Sequence, residues 1–188
     1  MSTFVYIKNL IKDKDIASIT PTSAFGVQKV CKKIDFAKDN VYVEYGPATG
    51  VFTRYILKNM TAGSKMILIE KNENFVSILR KTFPDHRVYI HHDSAENVRD
   101  LVFRISEGGA DYIVSGIPFS FLDHSLRKEI VRQTHRTLRD NGKFLPYQTF
   151  YQRNSHLLDY MKDTFPVVND GYCLLNIPPM RIYEAVKK

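Results

Sequence analysis

The stretch Val41-Tyr42-Val43-Glu44-Tyr45-Gly46-Pro47-Ala48-Thr49-Gly50 decides the fold. Its first half is an apolar run interrupted by one acid, the composition of a strand buried on both faces. Glycines 46 and 50 then bracket a tight turn, and residues 50–60 continue with Val51, Tyr55 and Leu57 at helical spacing. A buried strand, a glycine turn and a helix form the opening unit of a parallel α/β sheet. Glycine there lets a bound ligand approach the backbone, and the helix start turns its free amides toward that ligand. The G-x-x-x-G spacing matches neither the G-x-G-x-x-G dinucleotide fingerprint nor the phosphate loop that ends in Gly-Lys-Ser/Thr.

Outward from this unit the alternation continues. KMILIE (65–70), VYIHHD (88–93), ADYIVSG (110–116) and GKFLPYQT (142–149) read as further strands, followed by GYCLLN (171–176) and RIYEAVK (181–187). Helical patterns lie between them: 72–83 with Phe75, Ile78 and Leu79; 95–106 with Val98, Leu101, Val102 and Ile105; 123–139 with Leu126, Ile130, Val131 and Leu138. Asp123 is the expected N-cap of the last, and Asn141-Gly142 its stop and turn. The expected fold class is α/β: a mainly parallel sheet with helices on both faces.

Ligands in such sheets sit outside the carboxyl ends of the strands. The second expected strand ends in Glu70, where a carboxylate can accept from both hydroxyls of a ribose. The third ends in Asp93, which with Ser94 and Ala95 can bind the edge of an adenine. Either acid alone reads equally well as a helix N-cap. In sequence order with the glycine turn, they point to a nucleoside-containing ligand.

The 188 residues suffice for one domain, and 44% hydrophobic with 25% charged residues excludes a disordered chain. No apolar run reaches the roughly 18 residues of a membrane span, and the N-terminus lacks the pattern of a secretory signal. Cys31 and Cys173 are far apart and form no CxxC, so neither a disulfide framework nor a zinc ribbon is expected, and a reducing cytoplasm fits. The net charge of +7 divides into +3 for residues 1–40, −1 for 41–124 and +5 for 125–188. Basic flanks suit an anionic partner, either a membrane surface or nucleic acid, although solubility alone also explains such a charge. Phe4, Ile7, Leu10 and Ile11 share one helical face while Lys8, Lys12 and Lys14 lie elsewhere on it. This basic amphipathic helix either packs on the domain or lies in a lipid interface. A second helix is expected from Ser23 to Ile34, after a break at Pro21. The expected organisation is an N-terminal helical, membrane-facing segment, 1–40, and a ligand-binding domain, 41–188.

The E-Y-G-P-A-T-G turn (44–50), Glu70 and Asp93 together resemble the Rossmann-like S-adenosylmethionine-dependent methyltransferases. The resemblance implies a three-layer sandwich with a seven-stranded, mostly parallel sheet ending in an antiparallel hairpin. It also implies S-adenosylmethionine as cofactor and S-adenosylhomocysteine as product. Glu44, Tyr45, Gly46, Pro47 and Gly50 would line the methionine side, Glu70 and Lys71 the ribose, and Asp93, Ser94 and Ala95 the adenine. Ser115, Gly116, Ile117 and Pro118 would face the methyl group. The chain departs from the family's usual pattern at Tyr45, where an apolar residue such as Leu is commoner, and at Ala48, where Gly is.

The fourth expected strand ends Ser115-Gly116-Ile117-Pro118-Phe119. The related rRNA adenine dimethyltransferases carry Asn-Leu-Pro followed by an aromatic residue here; Gly116 supplies no such acceptor, while Phe119 stays available for stacking on a base. S-G-I-P-F is instead similar to the motif of bacterial phospholipid N-methyltransferases, and K-N-L-I-K-D with I-A-S-I-T-P-T-S resembles their N-terminal segment. That resemblance implies N-methylation of a phospholipid head-group amine, phosphatidylethanolamine, by a monomer lying peripherally on the inner face of the membrane. The alternatives are an RNA adenine N-methyltransferase and a non-catalytic cofactor-binding adaptor. A methylated ammonium is bound well by aromatic faces. Tyr147, Tyr151 and Tyr6 are the candidate catalytic aromatics, and His124 a candidate base. Arg153, Arg181 and Lys12 are candidates to meet a lipid phosphate. Adjacent His91 and His92 point to opposite faces of a strand, so no metal is expected. No HExxH or Ser-His-Asp arrangement supports hydrolysis.

Overall fold

A computed structural model describes residues 22–150 and 153–188. Tyr6, Lys12, Tyr151 and the expected helix over residues 1–14 lie outside the described residues. The described elements run α1 (Ala24–Cys31), β1 (Val41–Tyr45), α2 (Val51–Asn59), β2 (Lys65–Glu70), α3 (Glu73–Thr82), β3 (Val88–His92), α4 (Val98–Phe103), β4 (Ala110–Ser115), α5 (His124–Thr137), β5 (Leu138–Thr149), α6 (Leu158–Thr164), β6 (Val167–Cys173) and β7 (Met180–Val186). The seven strands form one sheet in the order β3-β2-β1-β4-β5-β7-β6. The first five pair in parallel, and β7 joins both β5 and β6 antiparallel.

Alternating side chains divide the core into two layers, as the period of a strand requires. Val43, Ile69, Ile113 and Phe144 meet Val98 and Val102 of α4, Ile130 and Val131 of α5, and Met161 of α6. Tyr42, Leu68, Val114 and Leu145 face the opposite side, where Val27 and Val30 of α1, Phe52 and Ile56 of α2 and Leu79 of α3 cover them. Residues 24–34 are thus part of the main core. The helices begin where the sequence caps them: Asp123 accepts from Leu126 N–H at 2.8 Å, and Asn72 from Asn74 N–H at 2.9 Å.

Three local expectations are corrected. Helix α5 ends at Thr137 and β5 begins at once at Leu138, so Asn141-Gly142 lies inside the strand. The pairing slips there, from Ala110↔Leu138 to Tyr112↔Lys143, and Asn141 takes a positive φ of 63°, a bulge where a helix stop was expected. Strand β6 spans 167–173, and Leu174-Leu175 form the turn after it. As an edge strand that among the described residues pairs with β7 alone, β6 tolerates the polar Asn169 and Asp170 that hide it in the sequence. On α2 the buried residues are Phe52, Thr53 and Ile56, with Val51, Tyr55 and Leu57 on the flanks, because Phe52 stacks on Tyr147 and Thr53 bonds Glu44.

Candidate active site

A cavity of about 610 Å³ opens at the carboxyl ends of the parallel strands. That volume lies within the usual range for a small-molecule site. The turn after β1 forms its floor. Gly46 and Gly50 take φ of 62° and 76°, the left-handed region open to glycine. Ala48 also sits there, at φ 50°, and its N–H donates to Glu70 Oε2 at 3.1 Å. The other oxygen, Oε1, accepts from Asn72 N–H at 2.9 Å. Glu70 therefore ties the β1 and β2 turns into one rim.

The acids differ by environment. Glu44 is buried at the cavity and accepts from the Thr53 hydroxyl at 2.6 Å. Burial pushes its carboxyl up to about 8, with repulsion from Glu70 adding to the rise. Burial also raises Glu70, against the pull of the amides it accepts from. Asp93 is lowered by the Asn97 amide, which donates to Oδ1 at 2.8 Å, and by Ser94 N–H at 2.7 Å. Both bonds fall on Oδ1, so Oδ2 accepts nothing among the described residues.

This donor set suits a cationic nucleoside. Two carboxyls held up chiefly by burial are stabilised in their charged form by a cation beside them. A sulfonium and an α-ammonium would supply such charge, and Asp93 Oδ2 has capacity to accept from an exocyclic amine. Ile69, Phe75 and Ile117 supply apolar wall.

Of the residues singled out from sequence, Glu44, Gly46, Pro47, Glu70, Lys71, Asp93, Ser94, Ala95, Gly116, Ile117, Pro118 and Tyr147 line the cavity. Tyr45 does not: its ring lies in the core, with its hydroxyl 3.0 Å from Thr134 Oγ1. Ser115 is buried beneath the rim and accepts from Ile117 N–H at 3.4 Å. Gly50 faces away from the cavity, where a Cβ would come within 2.6 Å of Phe83 Cζ. Its glycine is required by that packing as well as by its φ. His124 stands apart, edge-on to Tyr160 with ring centroids 5.4 Å apart. Arg181 is paired with Asp170 at 2.7 Å and with Asn154 at 2.6 Å, so its charge is already matched.

Phe119 corrects an expectation. It is fully buried in the core, so it offers no face to a base. A short 3₁₀ turn over Phe119–Phe121 sends Phe121 outward instead, 65% exposed at the cavity rim. Thr49 of the E-Y-G-P-A-T-G turn and Thr22 of the I-A-S-I-T-P-T-S segment also line the site, as do Phe52 and Leu122, which carried no distinctive signal in sequence.

At the centre, Gly116 and Tyr147 meet. A Cβ on Gly116 would run into the Tyr147 hydroxyl and lie 3.0 Å from Cζ. The ring is held by stacking on Phe52 at 4.6 Å, and its hydroxyl is hydrogen-bonded to the Thr22 side chain. Burial and the nearby Glu44 push the phenol far above its ordinary value, so it stays neutral. Among the described residues no group of three His, Cys, Asp or Glu could hold a metal, and no helix is long and apolar enough to cross a membrane.

The sheet order, the β1 turn and the acids at successive strand ends define a Rossmann-like S-adenosylmethionine-dependent methyltransferase. Solved structures share the fold: precorrin-6y C5,15-methyltransferase from Geobacter metallireducens superposes with a TM-score of 0.74 over 91% of this chain and 92% of that one, at 14% identity. A TehB-like S-adenosylmethionine-dependent methyltransferase from Corynebacterium glutamicum gives 0.67 over 98% and 99%, at 13% identity. No family model matches the chain. The ornithine lipid N-methyltransferase of Singulisphaera acidiphila is 30% identical over 149 residues, covering 73% of this chain and 76% of that protein. The chain belongs to the same methyltransferase family as that enzyme and uses S-adenosylmethionine as its cofactor.

Proposed function

We propose that this protein methylates the amine of a lipid head group, with phosphatidylethanolamine as substrate, while peripherally bound at an anionic membrane surface. The observation that supports this reading is the Tyr147 hydroxyl standing over Gly116. It fills the space in which an adenine methyltransferase needs an amide side chain, and Phe52, Phe121 and Tyr147 give the cavity an aromatic lining suited to an alkyl amine. The lipid-acting relative points the same way. The buried Phe119 removes the stacking face that RNA adenine methylation would use.

Bound cofactor supplies an electrophilic methyl on a positively charged sulfur. The protein's part is alignment: holding a neutral amine in line with that methyl supplies much of the rate. Tyr147, neutral and fixed by Phe52 and Thr22, orients the amine by accepting a hydrogen bond and does not remove its proton as a phenolate. The ring faces of Tyr147 and Phe121 attract the charged, methylated product. Tyr6 and Tyr151 are proposed as further aromatic faces. The deciding experiment supplies labelled S-adenosylmethionine with vesicles of phosphatidylethanolamine, vesicles of ornithine lipid, and unmodified rRNA in parallel. Label in the phosphatidylethanolamine extract is expected. Label only in ornithine lipid would replace the head group, and label only in RNA would refute the proposal.

A further inference from the structure

Large apolar side chains are exposed together beside the site. Ile177 is 84% exposed, Leu174 74%, Leu175 68% and Phe25 59%. The first three lie in the β6–β7 turn, and hydrogen bonds hold the start of α1 against that turn. Ser23 N–H donates to Asn176 Oδ1 at 2.7 Å, and the Ser23 hydroxyl to the Leu175 carbonyl at 3.1 Å. Lys29 Nζ donates to the Tyr172 carbonyl at 2.6 Å. Val27, Val30 and Cys31 of α1 are buried in the core, so Phe25, Gln28, Lys29 and Lys32 occupy its outer face.

Isolated exposed leucines are ordinary, whereas clustered apolar side chains with a polar or charged rim mark an interaction site. No Asp or Glu occurs in residues 22–34 or 171–183. The pairing of Thr149 with Met180 puts the turn at the carboxyl end of β5, the edge at which the cavity opens. Thr22, adjacent to Ser23, lines that cavity. We propose that Phe25 and the Leu174-Leu175-Ile177 turn dock on a lipid bilayer, with the apolar side chains entering the acyl boundary and Lys29 and Lys32 meeting anionic head groups. This rests on the lipid-methylation reading and deepens it: the cavity mouth then faces the plane in which a head group lies. Aliphatic tips without hydrogen-bonding groups have no use on RNA, whereas they partition favourably into an interface.

The test is sedimentation of the full chain with vesicles of equal parts phosphatidylglycerol and phosphatidylcholine, comparing wild type with the triple variant Leu174→Ser, Leu175→Ser, Ile177→Ser. Retained cofactor binding and circular dichroism establish that the variant folds. The vesicle partition coefficient is expected to fall at least about tenfold, and Lys29→Glu to steepen the loss at low salt. Unchanged partitioning of the triple variant overturns the proposal, including the case in which deletion of residues 1–21 alone abolishes it. A wild-type dimer that the triple variant dissociates, with vesicle binding intact, also overturns it and assigns the surface to a second copy. Methylation of amine lipid in detergent micelles, where no bilayer docking is needed, separates the two claims. If the wild type fails there but the vesicle result holds, the docking surface stands and the substrate is wrong.

Discussion

The Tyr147 hydroxyl occupies the space that any side chain at position 116 would need. Gly116→Ala is therefore expected to displace the tyrosine ring, costing about 1–3 kcal/mol of stability as overpacking. Methyl transfer should fall at least about a hundredfold, because alignment carries the rate. Cofactor affinity should change less than about threefold. Adding Tyr147→Phe removes the clashing oxygen and should recover part of the stability but not the activity. Thermal denaturation and calorimetric cofactor titration read the two effects separately.

Glu44 gives the site a pH dependence with a definite sign. Its carboxyl lies at about 8 in the ligand-free fold, so near neutrality it is largely protonated. Binding a cation favours the charged form, and a proton must leave. Cofactor affinity should rise about tenfold per pH unit below 8 and level off above it. The slope should vanish in Glu44→Gln. The ligand-free protein behaves oppositely: the raised group contributes stability present in full below its unfolded value and lost as pH climbs toward 8. Isothermal titration between pH 6 and 9, with chemical denaturation in parallel, checks both signs.

Phe119 and Phe121 should separate stability from substrate capture. Phe119→Ala opens a cavity in the core and is expected to cost about 3–5 kcal/mol. Phe121→Ala removes an exposed ring and should leave the melting temperature within about 2 °C while raising the KM for the lipid substrate several-fold. Equal loss of stability in both variants would contradict the burial described.

Ala48 holds a backbone conformation that favours glycine. Ala48→Gly should relieve it, and the gain exceeds the entropy glycine adds to the unfolded chain. Stability is expected to rise by about 0.5–1 kcal/mol, or about 2 °C in melting temperature. Denaturant titration at fixed pH checks it.

What the sequence made legible was local. The strand–turn–helix unit at 41–60, the acids ending β2 and β3, and the Asp123 cap all depend on neighbours within a few residues, and periodicity reports them directly. What it hid depends on partners far along the chain. Gly50 is fixed partly by Phe83 and Gly116 by Tyr147, each more than thirty residues away. Which of Phe119 and Phe121 turns inward follows from a single 3₁₀ turn, and composition is the same either way. Strand β6 was hidden by its edge position, because polar residues there look like loop and the apolar Leu174-Leu175 looks like strand.

The strand order β3-β2-β1-β4-β5-β7-β6 has a consequence for the cavity. Glu44, Glu70 and Asp93 all come from the β1–β3 half, while Gly116, Phe121, Tyr147 and the β6–β7 turn come from the other. The two flanks of the cavity are therefore built from separate halves of the sheet, which meet at the β1–β4 pair. Side chains at the β4, β5 and β6–β7 end can thus be exchanged without disturbing the strand ends that carry the three acids, so one scaffold admits different chemistry on one flank of its cavity.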